Sequence, residues 1–151
     1  MLIVERADPR EVGARALLEA SHKLMTETFP PEENYFLDIE ELCSENIRFF
    51  AAREDQTTLG TGALYIAQGY GEVKSMFTSP EARGKGVGAA LLRQIEDQAR
   101  QEGLAALKLE TGEVLSAAIR LYERHGFTRC EIFGDYQPNT TSVYMEKPLD
   151  Q

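Results

Sequence analysis

The chain has 151 residues, of which 42% are hydrophobic and 27% charged, and its formal net charge is −9. This length predicts one domain, 1–151, and no apolar run approaches the ~18 residues that cross a bilayer. The acidic balance argues against nucleic acid as a partner, because phosphate backbones require a basic surface. The first ten residues do not resemble a signal peptide, so we expect a cytoplasmic protein without membrane association.

Cysteine and histidine are too few and too dispersed to predict a metal site. The chain contains two cysteines, Cys43 and Cys130, and two histidines, His22 and His125. None of them lies at the short spacings that zinc ligands show. We therefore expect free thiols and no metal ion.

The N-terminal segment predicts a short strand, then a helix. Residues 2–7 are typical of a strand, and residues 9–26 carry apolar residues at helical spacing. Asp8 is the expected N-cap of this helix, with Pro9 in its first turn. The predicted apolar face consists of Val12, Ala16, Leu17 and Ala20. A second short helix is predicted over residues 35–46.

The middle of the chain changes to strand-like sequence. Three runs rich in β-branched and aromatic residues are separated by short turns. The runs are residues 47–55, 58–68 and 71–79. They predict an antiparallel meander of three strands.

The second half begins with a long amphipathic helix that Gly103 ends. Its predicted apolar face consists of Val87, Leu91, Leu92, Ile95 and Ala99. The remaining elements are a strand at 104–111, a helix at 116–127, and strands at 130–136 and 141–149. The order predicts an α/β fold: a mixed, mostly antiparallel sheet of about seven strands, with about four helices on its two faces. One parallel strand pair is joined across the long helix.

Three glycines alternate in the sequence RGKGVG, where a strand passes into the long helix. A helix N-terminus exposes backbone N–H groups with a partial positive charge, and glycines let a phosphate approach them. Arg83 and Lys85 add full positive charges. The loop therefore predicts a phosphate site, and a tight turn without a ligand is the alternative.

Residues around the loop restrict which class of phosphate-containing ligand it can bind. No Lys-Ser/Thr pair follows the last glycine, which argues against a nucleoside triphosphate loop. Gly84, Gly86 and Ala89 match the dinucleotide pattern G-x-G-x-x-A, with Glu110 at the end of the next strand. That pattern places its first glycine directly after a buried apolar strand, whereas several residues intervene here. A dinucleotide-binding domain is therefore the less favoured interpretation.

The loop and its surroundings resemble the GCN5-related N-acetyltransferases, the GNAT family. The signature of that family is Arg/Gln-x-x-Gly-x-Gly/Ala after a strand, and Arg83, Gly86 and Gly88 match it. The resemblance covers most of the chain, through the strand ALKLETG to the late helix AAIRLYERHGF. It implies a GNAT-like fold and acetyl-CoA as cosubstrate.

The resemblance also implies which residues hold the cofactor. In the family, the glycine loop binds the pyrophosphate, and the preceding strand splays so that the pantetheine arm pairs with its backbone. In this chain the residues implied to bind the pyrophosphate are Arg83, Gly84, Lys85, Gly86, Val87 and Gly88. Those implied to pair with the pantetheine arm are Met76, Phe77 and Thr78. This chain has Leu115 where relatives often carry an Asn that contacts the arm. We assign the neighbouring Ser116 to cofactor binding.

Acetyl transfer from a thioester to an amine needs a base, oxyanion donors and an acid for the thiolate. Backbone N–H groups near Met76 and Phe77 would polarise the carbonyl if a β-bulge opens the strand, as in the family. Tyr122 resembles the general acid of the family, and a purely packing role is the alternative. Glu72 is the predicted base, with Glu110 or water as alternatives.

The implied function is transfer of an acetyl group from acetyl-CoA to the primary amine of a small molecule or peptide, by direct attack. A catalytically silent acyl-CoA-binding module on the same fold is the alternative. Residues 1–60 carry 13 acidic and six basic side chains, a net charge of −7 against −2 for the rest. This charge asymmetry favours a cationic acceptor. The alternative is that the acidic side chains only form a solvated surface. Asp135, Tyr136, Asn139 and Tyr144 are candidates for the acceptor pocket or a homodimer contact, although burial in the sheet is the favoured interpretation for Tyr144.

Overall fold

Residues 1–149 are described by a computed structural model, in which they form seven β-strands and three α-helices. The strands are β1 (Leu2–Arg6), β2 (Ile47–Glu54), β3 (Thr57–Ile66), β4 (Gly71–Thr78), β5 (Ala106–Gly112), β6 (Thr128–Arg129) and β7 (Ser142–Pro148). The α-helices are α1 (Val12–Thr28), α2 (Val87–Gln101) and α3 (Ser116–Arg124). Single 3-10 turns occupy Pro31–Glu33, Glu41–Cys43 and Pro80–Ala82.

All seven strands belong to one sheet, in the order β1-β2-β3-β4-β5-β7-β6. Neighbouring strands are antiparallel except β4 and β5, which are parallel and are joined across the sheet by α2. The predicted α/β fold, with its mostly antiparallel sheet and one parallel pair across the long helix, is confirmed.

The sheet separates two apolar clusters, because successive side chains of a strand point to opposite faces. On one face α2 buries every residue of its predicted apolar face: Val87, Leu91, Leu92, Ile95 and Ala99. On the other face Ala14 and Leu18 of α1 pack with Phe49 and Ala63. Helices therefore cover both faces, as predicted.

Helix α1 begins later than predicted and buries a different face. Its N-cap is Glu11 rather than Asp8, because the Asp8 carboxylate instead accepts a 2.9 Å hydrogen bond from the Arg10 backbone N–H within a turn. The buried residues are Ala14, Leu18 and Ser21, whereas the predicted face begins with Val12, which is 88% exposed. Apolar residues lie on every side of this helix, so spacing alone selected the wrong side.

The second predicted helix, over residues 35–46, is wrong. Only Glu41–Cys43 form a single 3-10 turn, so residues 1–149 contain three α-helices rather than four. Asp38 and Glu41 each accept a hydrogen bond from the other's backbone N–H, at 2.8 and 2.9 Å. These reciprocal hydrogen bonds form a capping box, and the helical turn that follows ends at Ser44. A longer α-helix does not form, because the hydrogen bonds of so short a segment do not offset the free-energy cost of helix nucleation.

The predicted strand at 130–136 is also absent from the described residues. β6 ends at Arg129, and the chain then runs irregularly to β7, with Gly134 at a φ of +60°. Phe133 and Tyr136 pack their rings edge to face, 5.3 Å apart, and both contact Tyr144. Packing of these rings over the sheet, rather than strand alternation, determines the path of the segment.

Candidate active site

Strands β4 and β5 diverge and leave a fork in the middle of the sheet. They pair at their N-terminal ends, through Gly71–Leu107 and Glu72–Lys108. β4 then continues against β3 as far as Thr78, while β5 continues against β7 as far as Gly112. The β5-facing edge of residues 76–78 therefore borders a gap, and the splay implied by the family resemblance is present.

A β-bulge interrupts β4 within this fork. The register against β3 shifts between Thr61 and Ala63, so that Ser75 and Met76 both stand opposite Gly62. Ser75 has a φ of +56°, which non-glycine residues rarely adopt. The Thr61 hydroxyl donates a 2.9 Å hydrogen bond to the Ser75 carbonyl. A fully buried threonine thus holds the bulge that the predicted carbonyl-polarising amides require.

A cavity of about 130 Å³ lies at the fork, and we call it the fork cavity. Its walls include Val73–Met76 of β4, Glu110–Gly112 of β5, Tyr122 of α3 and Met25 of α1. The predicted acid Tyr122 and the alternative base Glu110 therefore share one cavity with the bulge.

Glu110 is a partly buried carboxylate held by its neighbours across the sheet. Ser142 of β7 donates a 2.6 Å hydrogen bond to its carboxylate, and the Asn139 amide donates a 3.0 Å hydrogen bond to the Ser142 hydroxyl. Burial raises the pKa of Glu110, while the Ser142 hydrogen bond and the positive charge of Lys74 lower it. The net shift is upward, so this carboxylate binds a proton more readily than an exposed glutamate does.

Tyr122 is buried on the inner side of α3, with 6% of its surface exposed. Its ring packs edge to face against Phe127, with centroids 5.8 Å apart. Burial, and to a lesser extent the Glu110 charge, raise the pKa of its hydroxyl well above the ordinary tyrosine value. The hydroxyl therefore keeps its proton at neutral pH and is available as a donor.

The glycine loop lies exposed at the start of α2. Gly86 is the N-cap of α2 in the left-handed conformation, at a φ of +77°, so a glycine is favoured there. A Cβ on Gly88 would come within 2.8 Å of Leu121, so this glycine lets α2 approach α3. Arg83 and Lys85 are exposed beside the helix start, and Lys85 has a 3.9 Å ion pair with Glu54. The loop therefore presents cations and free helix N–H groups to an anion.

The sequence model of the acetyltransferase (GNAT) family matches residues 15–127. The chain belongs to the GNAT family of acetyltransferases. The matched region includes the fork, the bulge and the glycine loop, and it extends through α3 to Phe127.

Relatives of known sequence or structure are similar to this chain over nearly their whole length. An IAA acetyltransferase of Azospirillum brasilense is 43% identical over 148 residues, covering 97% of each chain. A structure from Klebsiella pneumoniae subsp. pneumoniae, assigned to the acyl-CoA N-acyltransferases, has a TM-score of 0.82 at 34% identity, covering 99% of both chains. The PaiA N-acetyltransferase of Thermoplasma acidophilum, solved with coenzyme A, has a TM-score of 0.73 at 18% identity. It covers 99% of each chain, and its likeness shows the fold alone.

The cofactor residues expected from the GNAT resemblance in β4 and the glycine loop follow one another from the fork to the start of α2, and Ser116 lies apart from them on α3. Residues 76–78 run along the open edge of β4 and lead through the turn Pro80–Ala82 to Arg83. The Val87 side chain is buried in the core, so only its backbone faces the loop. Ser116 is exposed at the first turn of α3, and Leu115 lines the fork cavity. These assignments remain predictions.

Glu72, the predicted base, lies in a second cavity beside the first. Tyr136 donates a hydrogen bond to its carboxylate, and Lys74 forms a 3.3 Å ion pair with it. The Lys74 ammonium also donates to the Tyr136 hydroxyl at 2.8 Å and to the Tyr35 carbonyl at 3.1 Å. Glu72 is therefore buried, and one oxygen of its carboxylate, Oε2, is engaged by both Tyr136 and Lys74.

Three residues of the site were not predicted from the sequence: Thr61, Ser75 and Ser142. Each acts through a contact between strands, so no local pattern marks it. A serine at positive φ carries no sequence signal, because its neighbours in β4 are ordinary strand residues. Pairing β5 with β7 in register would have placed Ser142 near Glu110.

Within residues 1–149, no helix is long and apolar enough to span a bilayer. The same residues contain no group of three or more His, Cys, Asp or Glu side chains placed to hold a metal ion. Cys43 and Cys130 are free thiols, as predicted.

Proposed function

We propose that this GNAT protein transfers the acetyl group of acetyl-CoA to a primary amine of a small molecule or peptide, by direct attack. The observation that carries the proposal is the fork between β4 and β5, which joins an exposed anion loop to a cavity containing Glu110 and Tyr122. A cosubstrate with an anionic end and a reactive end fits such an arrangement. The coenzyme A bound to the Thermoplasma neighbour is consistent with it.

The loop from Arg83 to Gly88 would bind the pyrophosphate of acetyl-CoA. Arg83 and Lys85 supply charge, and the N-terminus of α2 supplies N–H groups. The open edge of Met76–Thr78 supplies backbone groups that can pair with the amides of the pantetheine arm. The thioester then reaches the bulge, where a backbone N–H polarises its carbonyl.

The acceptor amine would enter the fork cavity and lose its proton to Glu110. We assign this role to Glu110 rather than Glu72, because Glu110 lines the cavity with Tyr122 and the bulge. Glu72 is engaged by Tyr136 and Lys74 in the neighbouring cavity. The raised pKa of Glu110 brings its proton affinity closer to that needed for an ammonium acceptor.

The neutral amine attacks the thioester carbonyl, and the tetrahedral intermediate collapses with cleavage of the C–S bond. Tyr122 gives its proton to the thiolate, and the nitrogen of the intermediate loses its second proton as the amide forms. Of this proton and the one held by Glu110, one restores the phenol and the other leaves to solvent. The products are the amide, CoA and one proton. Both side chains line the fork cavity, so both can contact a substrate bound there.

A thiol-release assay with acetyl-CoA and a panel of primary amines tests the proposal. Calorimetry with CoA measures binding separately. We expect CoA binding together with amine-dependent thiol release. Binding without release for any amine would indicate the silent acyl-CoA-binding module, and no binding would contradict both functions.

A further inference from the structure

Next to the fork cavity lies a second cavity of about 480 Å³, which we call the tyrosine cavity. Four tyrosines line it: Tyr35, Tyr65, Tyr70 and Tyr136. Its charged lining consists of Glu41, Glu72 and Asp135 against a single cation, Lys74. Its volume is in the range of small-molecule sites, and its lining combines aromatic surface with negative charge.

Lys74 is not available to an anionic ligand. Its ammonium has three protons, and the Tyr35 carbonyl, the Tyr136 hydroxyl and the Glu72 carboxylate each receive a contact from it. Glu41 and Asp135 are exposed side chains that line the cavity, so their carboxylates are accessible to a ligand. The side chains that line the cavity comprise three carboxylates and one ammonium, so the lining carries a net negative charge.

The tyrosine rings of this region already interact with ammonium groups. The Lys74 Nζ lies 5.3 Å from the ring centroid of Tyr136, and the Lys108 Nζ lies 5.3 Å from that of Tyr70. Both distances are within the range of cation–π attraction. A cavity with such rings and two exposed carboxylates suits an organic cation with a hydrocarbon body.

The two cavities share a wall. Tyr35 and Lys74 line both of them, and Glu110 lies on the far side of that wall, in the fork cavity. An elongated acceptor could therefore place its reacting amine at Glu110 and its other end among the tyrosines. An acceptor of sufficient length would thus occupy the fork cavity and the tyrosine cavity at the same time.

We propose that the tyrosine cavity binds the distal end of the acceptor and that this end carries a second cationic group, as in an aliphatic diamine. This inference rests on the proposed acetyltransferase function and adds its substrate class. The observations that carry it are the aromatic lining, the unbalanced carboxylates Glu41 and Asp135, and the wall shared with the fork cavity.

The test compares three acceptors of similar length: 1,5-diaminopentane, pentylamine and 5-aminopentanoate. We expect kcat/KM for the diamine to exceed that for pentylamine about tenfold, and to exceed that for 5-aminopentanoate, whose distal end is a carboxylate, by more. Raising the salt concentration lowers the advantage of the diamine, because exposed carboxylates are screened. Equal values for the diamine and pentylamine, or a preference for the anion, would overturn the inference and leave acetyltransfer intact.

Asp135→Asn should lower the ratio of diamine to pentylamine kcat/KM several-fold. The matched control is Asp97→Asn, which removes an equal charge from an exposed position of α2 on the other face of the sheet. Asp97→Asn should leave the ratio unchanged. If both variants lowered the ratio equally, the preference for the diamine would depend only on the net charge of the protein, and a specific site at Asp135 would be contradicted. Absence of CoA binding and of thiol release with every amine would instead contradict the proposed function itself.

Discussion

The Ser142 hydroxyl donates a 2.6 Å hydrogen bond to the Glu110 carboxylate, from β7 to the neighbouring β5. This bond stabilises the charged carboxylate and so lowers the pKa of Glu110 against the effect of burial. Ser142→Ala removes it. We therefore expect the pKa of Glu110 to rise further in the variant, and the ascending limb of kcat against pH to move to higher pH.

The measurement follows kcat at saturating acetyl-CoA and amine, with the same acceptor for both proteins. Because the acceptor is the same, its own pKa is unchanged, and a shift of the ascending limb reports a change in the pKa of a group of the protein. Asn139 donates to the Ser142 hydroxyl, so Asn139→Ala should produce a smaller shift in the same direction. An unchanged limb in Ser142→Ala would exclude Glu110 as the titrating base.

Glu110→Gln and Glu72→Gln separate the two proposed bases. If Glu110 accepts the proton, Glu110→Gln lowers kcat by about 10²–10⁴-fold. Glu72→Gln instead removes the charge that pairs with buried Lys74, so we expect a loss of about 1–3 kcal/mol in unfolding free energy with a smaller effect on kcat. Denaturant unfolding and steady-state kinetics measure both. If Glu72→Gln instead caused the large loss of kcat and Glu110→Gln the smaller one, Glu72 would be the base.

The sequence predicts the framework of this site better than its chemistry. Periodicity identified the buried face of α2, and the glycine loop identified its N-terminus, because both signals are local. The predicted base followed from alternation along β4, and alternation does place Glu72 on the face that carries Lys74. It cannot show that Tyr136, 64 positions later in the chain, donates to that carboxylate.

Two of the errors in the fold, those at residues 35–46 and 130–136, share a physical cause. Residues 35–46 and 130–136 carry enough apolar residues to suggest a helix and a strand, yet both are irregular. In each segment an aromatic ring has a partner outside the segment: Tyr35 and Tyr136 contact each other with 4.8 Å between ring centroids. Tertiary contacts between these two segments replace the regular structure that local propensity favours.

Tyr122→Phe tests the proposed general acid. The variant keeps the ring and its packing against Phe127 but removes the proton that the thiolate needs. We expect kcat to fall by about 10²–10⁴-fold with little change in KM for acetyl-CoA, because the hydroxyl acts mainly in the transition state. A melting temperature equal to that of the wild type confirms an intact fold. Turnover close to wild type would assign Tyr122 to packing.

Gly86→Glu tests the phosphate loop. A glutamate at the start of α2 places negative charge where the pyrophosphate is proposed to bind, so we expect CoA binding to be lost in calorimetry. The positive φ of Gly86 would strain any side chain, although no atom lies within 4 Å of the position of its Cβ. Gly86→Asn is the control, because Asn tolerates this conformation and adds no charge. Equal CoA affinity in both variants would contradict the anion site.

Thr61→Val tests whether the buried hydroxyl positions the bulge. The substitution keeps the shape of the side chain but leaves the Ser75 carbonyl without its 2.9 Å donor. We expect the amides that follow Ser75 to lose their alignment with the thioester, so that kcat falls by at least about tenfold while KM for acetyl-CoA changes little. Thr61→Ser retains the hydroxyl and should recover most of kcat.

Lower stability alone could also reduce the activity of Thr61→Val, because an unpaired buried carbonyl costs about 1–3 kcal/mol. Val4→Ala in the edge strand β1 provides a comparison, since it loses about 1 kcal/mol of apolar burial three strands away from β4. We expect Val4→Ala to lower the unfolding free energy and leave kcat unchanged at a temperature where both variants are folded. If Val4→Ala and Thr61→Val lower kcat equally, the hydroxyl of Thr61 contributes only stability, and the bulge does not need it for catalysis.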